Sequence, residues 1–150
     1  MITDILQADC LRVPLTTSEK TAVIAELVDL LDSKGYFTDR NTVLDAVLAR
    51  EQTRSTGIGL GLAVPHGKTH ACKNLVMAVG KPVLPLDFDS ADGRPVNLVV
   101  MLVSPADQTG PHIQALAHVS RLWQTESFRR ATAQAVSAEE LYELIQTHQS

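Results

Sequence analysis

The longest apolar run of the chain lies in the stretch Val96-Asn97-Leu98-Val99-Val100-Met101-Leu102-Val103. Both the odd- and the even-numbered positions of most of this stretch are apolar, whereas a strand with one face in water alternates apolar and polar residues. Such a strand is covered on both faces, so it belongs in the middle of a sheet that helices sandwich. Two further strand-like segments, residues 63–64 and 75–79, precede it.

Two amphipathic helices are predicted before these strands. The first follows Thr16 and Glu19, which have the spacing of a capping box, and Gly35 supplies a stop signal. The second begins at about Asp39 and ends near Arg50, so the Arg50 side chain projects from a helix terminus. Both helices carry apolar residues at three- and four-residue spacing: Val23, Ile24, Leu27, Leu30, Leu31, Val43, Leu44, Val47 and Leu48.

Three more helices are predicted after the central strand. Pro105 and Asp107 mark the start of the first, and Thr125 is a candidate N-cap for the second. Ser137 opens the third, with a capping-box spacing to Glu140. Two helices, then strands, then three helices indicate a three-layer α/β/α fold with a mixed central β-sheet of about five strands. The length of 150 residues is that of one domain, which we expect to span residues 1–150.

Composition indicates a soluble globular protein of the cytoplasm. Apolar residues make up 45% of the chain, but no apolar run is long enough to span a bilayer, so no direct membrane insertion is expected. No basic leader precedes an apolar stretch at the N-terminus, and Cys10 and Cys72 lack disulfide or zinc spacing, which favours a reducing compartment. The net charge of −4 argues against a nucleic-acid partner, since nucleic-acid-binding domains usually carry a strong basic excess.

A glycine-rich segment, residues 57–67, presents a single imidazole. Glycine permits close backbone approach, and Pro65 fixes its own φ and favours extended geometry at Val64. His66 is therefore held on a rigid loop whose supporting residues are Gly57, Gly59, Gly61, Pro65 and Gly67. The segment is neither a dinucleotide fingerprint nor a P-loop, because no helical pattern follows closely and no Lys-Ser or Lys-Thr pair closes it.

Three side chains are expected to meet near this loop. His112 lies in the first turns of the helix after the central strand, and ligands of α/β sheets gather where strand ends meet helix N-termini. His66, at the end of a strand-like segment, would face it there, and Arg50 supplies a planar fork suited to phosphate oxygens. Residues 50–86 carry five basic side chains against one acid, which suits a bound phosphate and, equally, a chance cluster on a solvated face. Two imidazoles and a guanidinium suit phosphoryl transfer through a phosphohistidine.

Four motifs of the sequence carry a family resemblance. They are Arg50-Glu51, residues 55–59, Pro65-His66-Gly67, and residues 105–109 followed by His112. Over nearly the whole chain the sequence resembles the enzyme IIA domain of the fructose–mannitol class of the bacterial phosphoenolpyruvate:sugar phosphotransferase system. The resemblance implies that the histidine-containing phosphocarrier protein phosphorylates His66, that His112 orients the nucleophile or the phosphate, and that Arg50 assists the phosphate. It implies a phosphotransferase component without small-molecule turnover of its own, and no cofactor or metal.

Two branches of this family are compatible with the sequence. Residues 55–59 and 105–109 look like the nitrogen-related regulatory branch, which controls target proteins through its phosphorylation state. Residues 87–89 and 92–96 suit the fructose-specific branch equally. Because no linker or membrane segment is recognisable, we expect a regulatory enzyme IIA with a regulatory target protein as partner. The alternative is a sugar-specific enzyme IIA that passes its phosphoryl group to a permease IIB domain.

A metal site is a less favoured alternative. Side chains of zinc-ligand type cluster in the sequence: His66, His70, Cys72 and His112. A four-residue spacing of two histidines suits one metal mainly on a helix, and Pro65 and Gly67 disfavour a helix at this position.

An interaction module that is never phosphorylated is the other alternative. Ile58, Leu60 and Leu62 alternate with the glycines and could form an apolar rim. In either a phosphocarrier or a pure interaction module, we expect this rim to dock a protein partner.

Overall fold

The computed structural model describes residues 1–149, which form six strands and five α-helices after a short 3-10 turn, Ile2–Asp4. The strands are β1 (Leu11–Arg12), β2 (Gly57–Gly59), β3 (Leu62–Ala63), β4 (His66–Lys68), β5 (Val76–Gly80) and β6 (Leu98–Ser104). The helices are α1 (Lys20–Ser33), α2 (Arg40–Thr53), α3 (Thr109–Gln124), α4 (Glu126–Gln134) and α5 (Ala138–His148).

Strand β6 is the centre of the sheet, as its apolar residues predicted. All seven of its residues are buried. On one side it pairs antiparallel with β5, which in turn pairs parallel with β1. On the other side it pairs in parallel with β3 at its beginning and with β4 at its end, and β2 lies antiparallel beyond β3. The sheet is therefore mixed.

Helices cover both faces of the sheet, which confirms the predicted three-layer α/β/α architecture. Helices α1 and α2 pack on each other and on β5 and β4, while α3 contacts β6 and α5 contacts β1. Every residue of β5 and β6 is buried, so neither face of the sheet centre meets solvent. No helix within residues 1–149 is long and apolar enough to cross a membrane.

Several sequence-level boundaries agree with the structure. The side chain of Asp39 caps α2 by accepting from the amides of Asn41 and Thr42, and Ser137 caps α5 by accepting from the Glu140 amide. Gly35 follows α1 with a φ of 81°, a conformation that a residue with a Cβ rarely adopts. These signals are local, so they could be identified without the fold.

Other boundaries were predicted wrongly. The capping box from Thr16 to Glu19 does not form, because α1 begins after Glu19 and the amide of Thr16 donates instead to the Glu26 carboxylate. Helix α2 continues to Thr53, three residues past its expected end, and α3 begins at Thr109.

The sheet has six strands where about five were expected, because β1, β2 and β4 are only two or three residues long. His66 begins strand β4; it was expected at the end of a strand. The expected domain runs to Ser150, which lies outside the described residues.

Candidate functional site

His66 stands at the point where the chain enters β4, beside the centre of the sheet. It lies opposite Leu102 in the parallel register of β4 and β6, and its side chain is partly exposed. The preceding residue, Pro65, is buried, and its carbonyl accepts from the Leu102 amide. The backbone before and after His66 is therefore hydrogen-bonded to β6, which fixes the position of the imidazole.

One nitrogen of the His66 ring is hydrogen-bonded to the backbone, and the other carries the lone pair. Its Nδ1 lies 2.8 Å from the carbonyl oxygen of Val64, and because a carbonyl only accepts, Nδ1 carries the proton. Burial lowers the pKa of His66 from 6.5, and the nearby positive charges of Arg50 and Lys68 act in the same direction, against the Val64 hydrogen bond and the Glu51 carboxylate. The neutral ring therefore has its lone pair on Nε2.

His112 lies in the first turns of α3 and is buried, with 4% of its surface exposed. Its Nδ1 is 2.7 Å from the hydroxyl oxygen of Ser104, the last residue of β6. Burial lowers the pKa of His112 to about 4, and the positive fields of His66 and Lys68 add to the effect. The ring is consequently neutral at neutral pH.

The structure brings His66 and His112 together. The centroids of their rings are 5.2 Å apart, and the planes meet at 61°. Lys68, two residues after His66 on β4, donates from Nζ to the hydroxyl of Thr109 at 3.2 Å, which links β4 to the first residue of α3.

Arg50 reaches the same place from the last turn of α2. Its Nη1 donates to the carbonyl oxygen of Arg54 at 2.8 Å, which leaves other N–H groups of the guanidinium for a ligand. Arg50, Arg54, His66 and Leu116 help to line a pocket of about 240 Å³. An anion bound beside the His66 ring in this pocket would meet two guanidinium groups.

Gly67 sets how closely α2 approaches this site. A Cβ at this position would lie 3.2 Å from Val47 Cγ2 and 3.3 Å from the Ala46 carbonyl carbon, so the helix packs directly on the β4 backbone. Arg50 follows Val47 by about one helical turn and is therefore placed beside the neighbouring His66.

The other glycines shape the β2–β3 hairpin and its contacts. Gly57 packs on Ser90, leaving no room for a Cβ, and Gly61 combines a φ of 87° with close contact to Asn97. Gly59, with a φ of 108°, lies against the carboxylate of Asp92. These positions require glycine for packing and for backbone conformation.

Leu60, at the tip of this hairpin, is held in an unusual conformation. Its φ is 57°, which residues with a Cβ seldom adopt. Its amide donates to Asp92 at 3.0 Å, and its carbonyl accepts from the Trp123 indole at 2.8 Å. The two contacts hold the side chain of Leu60 at the surface, with 44% of it exposed.

Only two members of the expected apolar rim are available to a partner. Ile58 and Leu60 are 47% and 44% exposed, but Leu62 is fully buried in the core. Including Leu62 in the rim was wrong. Strand β3 pairs with β6 and its side chains are buried in the interior. The exposure of every second side chain in this segment therefore ends at the hairpin.

A buried charged group behind the site was not predicted as functional. Glu51 accepts from the amide of Thr56 at 2.8 Å and from its hydroxyl at 2.6 Å, and the Lys20 ammonium lies 3.0 Å from the same carboxylate. The network ties α2 to α1 and to the start of the glycine-rich segment. Thr56 follows Glu51 closely, but Lys20 is distant from both in sequence, so no local pattern identifies the whole network.

The four candidate zinc ligands do not form one cluster. His70 is exposed, whereas Cys72 is buried with its thiol against the carbonyl oxygen of Asn74 at 2.8 Å. In the part of the chain that the structure describes, no three His, Cys, Asp or Glu side chains form a group that could hold a metal ion.

A larger pocket, of about 580 Å³, is lined by other residues, among them Trp123 and Lys81. The Lys81 ammonium in this pocket already caps α4 by donating to the carbonyls of Ala133 and Ala135, at 3.0 and 2.6 Å. Arg129 donates to the Trp123 carbonyl. These side chains are occupied by structural hydrogen bonds, and His66 lines the smaller pocket with Arg50 and Arg54.

Comparison with known proteins identifies the family of the chain. The family model described as "Phosphoenolpyruvate-dependent sugar phosphotransferase system, EIIA 2" matches residues 4–148. The chain is 35% identical over 147 residues to the fructose-specific EIIABC component of Bacillus subtilis (strain 168), covering 98% of this chain and only 23% of that protein's length. It is also 35% identical over 147 residues to the nitrogen regulatory protein of Escherichia coli (strain K12), covering 96% and 88% of the two chains.

Solved structures show the same fold. The nitrogen regulatory protein IIA-Ntr of Neisseria meningitidis superposes with a TM-score of 0.88 at 29% identity, over 96% of this chain and 98% of that one. Enzyme IIAMTL of Escherichia coli, solved in complex with phosphorylated enzyme IIBMTL, gives a TM-score of 0.80 at 20% identity, over 95% and 99%. By the extent of the family match, the chain belongs to the EIIA 2 family of the phosphoenolpyruvate-dependent sugar phosphotransferase system.

Proposed function

We propose that this EIIA-family chain carries a phosphoryl group on Nε2 of His66, received from the histidine-containing phosphocarrier protein. The observation that carries the proposal is the 2.8 Å contact between His66 Nδ1 and the Val64 carbonyl oxygen. It places the proton on Nδ1, and so makes Nε2 the nucleophilic nitrogen of a neutral ring. The burial that lowers the pKa of His66 keeps this nucleophile unprotonated at neutral pH.

The transfer is a displacement at phosphorus. The lone pair of His66 Nε2 attacks the phosphorus of the donor's phosphohistidine, an N–P bond forms on His66, and the N–P bond of the donor breaks. The electron pair of the broken bond returns to the donor imidazole, and the proton on His66 Nδ1 stays in place against Val64. Such a reaction needs little covalent participation from other groups, so positioning and charge stabilisation account for most of the catalysis.

His112 and Arg50 are the proposed sources of that stabilisation. The Arg50 guanidinium offers donors to the phosphoryl oxygens. His112, with its ring centroid 5.2 Å from that of His66, is close enough to contact a phosphoryl group on the neighbouring ring. The supporting residues Gly57, Gly59, Gly61, Pro65 and Gly67 hold the His66 backbone and its neighbours in place.

We further propose that residues 1–150 act as one cytoplasmic phosphocarrier domain of the regulatory branch, with a regulatory target protein as the second partner. Similarity to the nitrogen regulatory proteins of Escherichia coli and Neisseria meningitidis supports this branch, since the chain covers 88% and 98% of those chains. The exposed Ile58 lines the same pocket as His66, so a partner that docks on Ile58 and the neighbouring exposed Leu60 would sense the charge state of the proposed phosphorylation site.

Phosphoryl transfer to a sugar permease is the second candidate. The chain is as similar to the fructose-specific EIIABC component of Bacillus subtilis as to the nitrogen regulatory protein, with 35% identity in both cases. The fold neighbour enzyme IIAMTL was solved with a phosphorylated IIB partner. In this alternative, a permease IIB domain takes the phosphoryl group from His66.

A labelling experiment tests the proposed function. The protein is incubated with phosphoenolpyruvate, enzyme I and the phosphocarrier, and we expect one acid-labile, base-stable phosphoryl group per chain. His66→Ala should abolish the label, whereas His70→Ala, which removes an exposed histidine outside the pocket, should retain it. Full labelling of His66→Ala would refute the assignment. Adding an isolated IIB domain to the labelled protein then distinguishes the transport alternative, in which the label moves to IIB.

A further inference from the structure

Ser104 is the one side chain that hydrogen-bonds the ring of His112 in the part of the chain that the structure describes. Its hydroxyl oxygen is 2.7 Å from His112 Nδ1, and the serine is completely buried at the end of β6. The contact crosses from the central strand to the first turns of α3, so the two elements together hold the buried ring.

The direction of this hydrogen bond follows from what else surrounds the hydroxyl. Within residues 1–149 the Ser104 hydroxyl has no hydrogen-bond partner apart from His112. If Nδ1–H donated to the serine oxygen, the serine O–H would be buried without an acceptor, which is costly. If the serine donates to Nδ1, its proton is satisfied. The buried hydroxyl therefore favours the arrangement in which Nδ1 accepts and Nε2 carries the proton.

We propose that Ser104 is a positioning residue that fixes His112 as the Nε2–H tautomer, so that His112 donates a hydrogen bond to the phosphoryl group carried by His66. The proposal rests on the proposed function, because it gives His112 a role in that transfer. The two rings then hold opposite tautomers: the Val64 carbonyl leaves a lone pair on Nε2 of His66, and the Ser104 hydroxyl leaves a proton on Nε2 of His112. One ring is a nucleophile and the other is a donor.

The charges around His112 are consistent with a neutral donor. The titratable groups that act on it are His66 and Lys68, both on β4, and both disfavour a second proton on the ring. A neutral ring has only one N–H proton, so the tautomer decides whether Nε2 can donate a hydrogen bond to the phosphoryl group. The uncharged hydroxyl of Ser104 selects the tautomer through its hydrogen bond to Nδ1.

The first test is the tautomer itself, measured by nitrogen-15 NMR of the histidine rings in the unphosphorylated protein at neutral pH. We expect the His112 Nδ1 resonance to be that of an unprotonated nitrogen and the Nε2 resonance that of a protonated one. In Ser104→Ala the two tautomers should mix. A wild-type spectrum with the proton on Nδ1 would overturn the proposal without any variant.

The second test is transfer from the phosphocarrier. Losing one neutral hydrogen bond should lower kcat about three- to tenfold in Ser104→Ala. The KM for the phosphocarrier should stay the same, because a fully buried residue cannot touch a partner. Ser104→Thr keeps a hydroxyl and should restore both the tautomer and the rate. Thr132→Val is the matched control, because it removes a buried hydroxyl on α4 that has no hydrogen-bond partner within residues 1–149.

Circular dichroism and thermal unfolding establish that each variant is folded. A folded Ser104→Ala that keeps the wild-type tautomer and the wild-type kcat would contradict the proposal. If the wild-type protein accepts no phosphoryl group at all, the proposed function is wrong, and the ring spectra still decide the direction of the serine contact.

Discussion

At the scale of single residues, two imidazoles have been given different properties by their hydrogen-bond partners. His66 is partly exposed and bonded to a backbone carbonyl, whereas His112 is buried and bonded to a serine hydroxyl. Both have lowered pKa values, for the common reason that burial disfavours the charged ring. In the proposed transfer, a neutral nucleophile beside a neutral donor would suit the acceptance of an anionic phosphoryl group.

The first residue-scale prediction concerns Arg50 and His112. If they stabilise the transferring group, Arg50→Ala and His112→Ala should each slow transfer on the order of a hundredfold, since a charge-stabilising contact is typically worth about 2–4 kcal/mol in a transition state. The measurement is single-turnover transfer from the labelled phosphocarrier. Arg121→Ala, which removes an exposed arginine elsewhere on α3, controls for loss of charge. Normal rates in both site variants would show that the pocket is not where transfer occurs.

The second residue-scale prediction is a loss of stability in mild acid. The pKa of His112 is about 4 in the folded protein against 6.5 for the ordinary group. Between these values the unfolded chain binds more protons, so the free energy of unfolding falls as the pH drops from 6.5 towards 4. The contribution of His112 is about 3 kcal/mol, present in full above pH 6.5. His66 acts in the same direction, since its pKa is also lowered.

Urea unfolding between pH 4.5 and 7.5 measures this effect. His112→Gln should show a flatter dependence on pH than the wild type, and the carboxylates cancel in the comparison. His70→Gln makes the same substitution at an exposed position. Parallel curves for the wild type and His112→Gln would contradict the assigned pKa.

At the scale of elements, the site depends on how α2 lies against β4. Gly67 allows the helix backbone at Ala46 and Val47 to rest on the strand, and Arg50 is carried by the same helix. The buried Glu51 carboxylate then fastens α2 to Thr56 at the start of the glycine-rich segment. A rigid helix on a rigid strand holds Arg50 and His66 in a fixed relation, as positioning catalysis requires.

The element-scale prediction is that Gly67→Ala separates the two elements. A Cβ 3.2 Å from the Val47 amide nitrogen forces α2 outwards, so the free energy of unfolding should fall by about 1–3 kcal/mol and transfer should slow because Arg50 moves away from His66. Gly110→Ala is the matched control, because a Cβ there meets no atom within 4 Å and alanine favours a helix over glycine by up to about 1 kcal/mol. Chemical unfolding and transfer rates are measured on both variants. Equal stability of Gly67→Ala and the wild type would show that the helix can yield without cost.

At the scale of the whole molecule, the proposed phosphorylation would change the charge of a surface without requiring a second fold. A phosphoryl group on His66 would bring about 1.5 to 2 negative charges to the pocket that the exposed Ile58 also lines. An apolar or acidic partner surface would lose affinity for this charge, whereas a basic one would gain it. The hydrogen bonds that Leu60 makes to Asp92 and Trp123 hold the hairpin in either state.

The whole-molecule prediction is that His66→Asp, an imperfect mimic of the phosphorylated state, alters partner binding and leaves the fold unchanged. Binding of the regulatory target is measured by calorimetry, and His66→Asn provides a neutral side chain of the same shape as the control. Circular dichroism should match the wild type, and the Tm should shift by less than about 4 °C, the effect of about 1 kcal/mol in a domain of this size. If no partner distinguishes Asp from Asn while a permease IIB domain takes the phosphoryl group efficiently, the regulatory function is wrong and the transport alternative stands.

The features that the sequence determined by itself are local or repetitive. The apolar residues of β6, the helical spacing of α1 and α2, the start of α2 near Asp39 and the cap at Ser137 could be identified because each depends on neighbours within a few residues. His66 stood out for the same reason, between a proline and a glycine. Residue type and spacing were enough to predict three layers and a candidate phosphoryl acceptor.

The tertiary structure decided what depends on residues distant in sequence. Strands of two or three residues, such as β1 and β4, have too few positions to show a period and form only because β5 and β6 offer partners. The burial of Leu62 follows from pairing with β6. Ser104 and His112 are only eight residues apart, but their contact forms only when α3 packs across the end of β6. The direction of a hydrogen bond in a buried pair depends on every other group around it, and those groups are assembled only when the chain has folded.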